Sequence, residues 1–106
     1  MNYKSYITDL HLNLHPGQID ELEAWFEHCE RVSDFFTLAY YPYQMVELPG
    51  GFGTEREMDR DLMREQWQRI LAFLERRERE DGFVCFPGFE WQGTGEDGDH
   101  NVYFKT

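Results

Sequence analysis

The chain has 106 residues, a formal net charge of −11 and 17% aromatic residues. That length suffices for one small domain with one core, and residues 1–106 read as a single domain. The aromatic content argues against disorder, no apolar run approaches the ~20 residues of a membrane span, and the acidic balance without a basic stripe excludes nucleic-acid binding through the protein surface.

The opening "MNYKSYITDL" has no apolar signal core, so a cytoplasmic location is expected. From Tyr6 to His15 the chain reads as a strand, with Leu10, Leu12 and Leu14 on one face and Asp9, His11, Asn13 and His15 on the other. Pro16-Gly17 stops it. Ile19, Leu22, Trp25, Phe26, Cys29 and Val32 recur at helical spacing, which predicts an amphipathic helix over 19–32. The run "DFFTLAYYPY" has the look of a strand buried on both faces. "QMVELPGGFG" reads as a loop, and Thr54 with Glu57 as a capping box. That box opens a long helix with Met58, Leu62, Trp67, Ile70, Leu71 and Leu74 inward. Glu65–Arg69 and Glu75–Arg79 pair at i,i+4 outside. Gly82 fits the C′ stop of this helix. "FVCFPGFEW" is a third strand, "GTGEDGD" a loop and "NVYFK" a fourth strand. Cys29 and Cys85 match no CxxC pattern and read as two reduced thiols.

Strands alternating with amphipathic helices indicate an α/β fold with a mainly parallel sheet. Because the last strand has no helix after it to cover the sheet, the chain reads as the N-terminal part of a larger β/α barrel. The remainder would lie C-terminal to Thr106. An unprotected last strand also predicts that the isolated chain self-associates.

In parallel α/β folds, ligands gather at the carboxyl ends of the strands. There the sequence places His11, Asn13 and His15 after the first strand, Glu90 in the third, and His100 at the start of the fourth. Imidazole and carboxylate together suit Zn, Mn or Fe. Side chains two apart on a strand are ~6.6 Å apart at their bases and can share an ion, whereas His11 and His15 are ~13 Å apart and cannot without a bend. Asn13 could give a carbonyl oxygen or hold a water, and His15 a second ion or a substrate anion. Singly, each of these residues has a bland reading: a solvated strand face for the histidines, or for Glu90 a buried carboxylate paired to an arginine. "DGDHN" begins like a calcium loop, but Val102 stands where the turn glycine belongs and no bidentate glutamate follows.

"DLHLN", the long helix, "GFVCFPGFEW" and "GDHNVYF" together resemble the polymerase and histidinol phosphatase (PHP) superfamily. The resemblance implies a distorted TIM-like barrel with a centre of several metal ions that hydrolyses phosphoesters. By that resemblance His11, Glu90 and His100 are metal ligands, with Glu90 and His100 in the catalytic set. The departures are Asn13 in place of a second histidine, and Ala39-Tyr40-Tyr41 where the family has Thr-Asp-His. The expected function is a divalent-metal-dependent hydrolase acting on a small anionic phosphoester through metal-activated water. Tyr40 and Tyr41 would donate hydrogen bonds to the substrate with Asn13 and His15 nearby. The alternative is a non-catalytic PHP-like binding or interaction domain with part of its metal site lost.

Overall fold

A computed structural model describes residues 2–51, 53–93 and 96–105. Strand β1 (Thr8–Leu14) leads through a 3-10 turn (Pro16–Glu21) into helix α1 (Leu22–Val32) and back to β2 (Phe35–Tyr40). A hairpin of β3 (Tyr43–Glu47) and β4 (Gly53–Glu57) follows, then α2 (Arg60–Asp81), β5 (Cys85–Gln92) and β6 (Asp99–Tyr103). The main sheet has four strands in the order β1-β2-β5-β6. β1, β2 and β5 are parallel, and β6 runs antiparallel to β5. The fold is therefore mixed α/β with a mixed sheet. The described residues carry two helices and do not close a barrel. No described helix is long and apolar enough to cross a membrane.

The parallel strands are laid down in one direction across the sheet. Crossovers of one hand then return on one side, which sets both helices against the same face. That face holds the core: Leu14, Phe36, Leu38 and Tyr40 from the strands meet Leu22, Phe26 and Cys29 of α1 and Ile70 and Leu74 of α2. Phe26 lies at its centre, with ring centroids 5.3 Å from Phe36, 5.3 Å from Phe73 and 5.7 Å from Phe83. Each such fully buried side chain contributes roughly 1.5–3 kcal/mol by area, and tilted or edge-on ring pairs add about 0.5–1.5 kcal/mol. Arg77 closes one side, its guanidinium 5.0 Å from the Phe26 ring centroid and bonded to Glu30 at 2.5 Å and Asp81 at 3.1 Å.

The predicted elements are present, but the helix expected over 19–32 starts at Leu22 after the 3-10 turn, the last strand runs Asp99–Tyr103 rather than from Asn101, and further corrections follow. "QMVELPGGFG" is not all loop: Tyr43–Glu47 pairs antiparallel with Gly53–Glu57, so Thr54 and Glu57 sit in a strand and form no capping box. Asp59 caps α2 instead, its carboxylate accepting from the backbone N–H of Asp61 at 3.1 Å and Leu62 at 3.2 Å. The inward stripe of α2 is centred on Met63, Trp67, Ile70 and Leu74, which leaves Leu62 and Leu71 exposed at 43% and 37%. Arg69 pairs with Asp20 at 3.1 Å rather than with Glu65, because Asp20 stands across from it at the end of the 3-10 turn. As expected, Gly82 ends α2 with φ 70°, and its N–H bonds to the Glu78 carbonyl at 2.9 Å. The "GTGEDGD" loop lies partly outside the described residues.

Candidate functional site

Among the described residues, the second face of the sheet carries no helix. Cα register and strand alternation decide which side chains share it. Asn13 is opposite Ala39, Ala39 opposite Gly88, and Gly88 opposite Tyr103, so all four lie on this face. Glu90, two residues beyond Gly88, lies there too and stands opposite Asn101. Ala39 and Gly88 leave the middle of the face low, which lets longer side chains lean across it.

His11 does so. The β1–β2 register slips between Asp9 and Leu12, and the His11 N–H bonds to the Asp9 carboxylate at 2.8 Å. Such an irregularity re-aims a side chain. His11 reaches over β2, and its Nε2 lies 2.9 Å from Glu90 Oε2. Glu90 is buried at 7% exposure, and its partner is this imidazole rather than an arginine. Tyr103 spans the same face from the other edge: its ring lies over Gly88, and its hydroxyl donates to the Leu10 carbonyl in the slipped segment of β1. Beside them Asn13 Oδ1 is buried without a hydrogen-bond partner, a state that ordinarily demands an occupant such as an ion or a water.

At the carboxyl end of the strands a second polar cluster forms. Tyr41 donates to Glu55 at 2.7 Å. The Gln92 amide donates to both Tyr41 and Glu55, and the Gln92 backbone N–H donates to the Tyr43 hydroxyl at 3.1 Å. His15 packs edge-on against the Tyr41 ring at 5.2 Å between centroids. Desolvation, then the Glu55 carboxylate, then the nearby charge of Glu90 push the Tyr41 phenol well above its ordinary range, so it remains a proton donor.

The structure thus brings His11 and Glu90 into contact, sets Asn13 on the same face, and puts His15 and Tyr41 together at its end. His100 does not join them. Trp91, not Glu90, is its cross-strand partner, so the antiparallel pairing turns His100 to the opposite face. There it packs on the Trp91 ring at 5.6 Å, with Nε2 bonded to the Asp97 carbonyl at 2.9 Å. Tyr40 is likewise on the helix side, donating to Gln66 Oε1 at 2.5 Å. Glu55, Gln92 and Tyr103 escaped the sequence reading. Gln92 was within reach of strand alternation, two residues past Glu90, but Glu55 was hidden by its assignment to a helix start.

Among the described residues no three His, Cys, Asp or Glu side chains cluster as metal ligands. The open face carries one imidazole nitrogen in contact with one carboxylate and, on the same face, one unpartnered amide oxygen, donor types that divalent ions use. Scans of family models, curated proteins and solved structures match nothing to this chain.

Proposed function

We propose that the chain is the metal-binding part of a PHP-like hydrolase whose barrel wall is the mixed sheet, acting on a small anionic phosphoester. The observation that carries this reading is the His11–Glu90 contact beside the orphaned Asn13 oxygen. His11 Nε2 and Glu90 Oε2 would hold the ion with Asn13 Oδ1 as third donor. His100 and Tyr40, on the other face, take no part. A bound divalent ion supplies Lewis acidity and lowers the pKa of a water molecule from 15.7 to about 7. It also supplies a local positive charge that the acidic chain otherwise lacks.

The chain's own groups do the rest. Tyr41 stays protonated with its one O–H donated to Glu55, so it would bind an anionic oxygen only by exchanging that partner, with His15 beside it. Glu55 and Gln92 orient that phenol.

The test is metal stoichiometry and affinity in solution. The purified protein should bind about one equivalent of Zn or Mn, and His11→Ala and Glu90→Gln should each weaken it at least ~10-fold, about 1.4 kcal/mol. Hydrolysis of an aryl phosphate should stop on chelation and return on adding metal. Binding equal in all three proteins would end the hydrolase reading. It would leave the second one, a non-catalytic binding domain, favoured by the aromatic Tyr41–Tyr43 pair at 5.0 Å.

A further inference from the structure

On the opposite side of the sheet, between the N-terminal half of α2 and the β5–β6 edge, lies a cavity of about 390 Å³. Its walls are rings. Trp67 stacks near Tyr40 at 6.3 Å between centroids and meets Phe104 at 6.1 Å, and Phe89 stands 6.1 Å from Phe104. Tyr40 is fixed by its bond to Gln66, which in turn reaches the Pro16 carbonyl at 3.5 Å. A cavity of this size suits a small molecule.

The charges at its mouth are selective. Helix α2 carries six arginines. Arg69, Arg76, Arg77 and Arg79 are each paired with a carboxylate. Arg60 and Arg64, one turn apart, line the cavity and have no ion pair among the described residues. Two guanidinium groups without an ion pair share the cavity lining with one carboxylate, Glu57, in a chain of net charge −11. A guanidinium is suited to planar oxyanions and to stacking.

We propose that this cavity binds a small molecule with a flat apolar body and a single anionic group, a carboxylate or a phosphate. The body lies among Trp67, Tyr40 and Phe104, and the anion lies between Arg60 and Arg64. The site is independent of the metal proposal, since Tyr40 and Phe89 face away from His11 and Glu90.

The probes are 2-naphthoate, 1-naphthyl phosphate and the neutral 2-naphthylmethanol, titrated into the full chain by calorimetry and followed by quenching of tryptophan fluorescence. At least one anion should saturate with a dissociation constant below about 1 mM, and the neutral probe should bind at least ~10-fold more weakly. Which anion wins identifies the group. The Arg60→Gln/Arg64→Gln double variant alters exposed side chains, and its melting temperature should match the parent's. It should remove the preference for the anion while leaving the neutral probe's affinity unchanged. The proposal is overturned if neither anion saturates, if anion and neutral probe bind alike, or if the double variant keeps the preference. It is also overturned if sedimentation shows that a second copy of the chain covers the cavity.

Discussion

Glycine at position 88 is a condition of the open face. A Cβ there would lie 2.2 Å from the Tyr103 ring and 2.4 Å from the Val102 carbonyl oxygen, and the latter is backbone that cannot swing away. Gly88→Ala should therefore cost about 1–3 kcal/mol in urea unfolding, in the range of an overpacked site. The two thiols respond to burial in a way that pH reveals. Burial pushes Cys85 from 9.0 up to about 12, and Cys29 is raised as well by burial and then by Asp9. A thiol whose folded pKa is raised contributes stability that is complete below pH 9 and is lost as pH rises toward 12. At pH 8 the thiolate is the reactive form, and little of it exists in the native state. Labelling of Cys85 by a disulfide reagent should accordingly be at least ~100-fold slower in the native protein than in guanidinium.

At the scale of the element, α2 shows how a local signal can be displaced by pairing. Thr54 and Glu57 have the right spacing for a capping box, but their backbone is engaged by Val46 and Tyr43 across the hairpin. The helix begins only after that pairing ends, where Asp59 meets the free N–H groups of the first turn and the positive end of the dipole. Asp59→Ala should destabilise the protein by about 1 kcal/mol. The loss should show as a lower midpoint with unchanged denaturant slope, since the surface exposed on unfolding is the same. The stop signal at Gly82 was legible because it depends on one residue's freedom at positive φ and on nothing distant.

For the molecule as a whole, one layer of helices on one face of the sheet means that, among the described residues, one buried cluster holds the fold together. Phe26 is fully buried and touches rings from β2, α2 and the segment before β5. Phe26→Ala should cost about 3–5 kcal/mol. Against a total of about 5–15 kcal/mol for a domain of this kind, calorimetry should find the variant melting far below the parent or already unfolded. Both β1 and β6 are edges of the sheet, so the self-association expected from the sequence has two strands on which to occur, and Leu10 on β1 is 59% exposed.

The sequence by itself determined the alternation of the main-sheet strands with two helices and the ends of α2 at Gly82 and β1 at Pro16, but not the β3–β4 hairpin. These follow from period, turn chemistry and residue type, all local. Only the tertiary structure decided which side chains look at one another. Alternation says that neighbours point to opposite faces, but the face opposite depends on interstrand register. A slip in β1 turned His11 toward Glu90, while antiparallel pairing in β6 set His100 against Trp91 on the far side. Tyr40 and Tyr41, adjacent in the chain, are parted by alternation itself, one joining the aromatic cavity and the other the polar cluster.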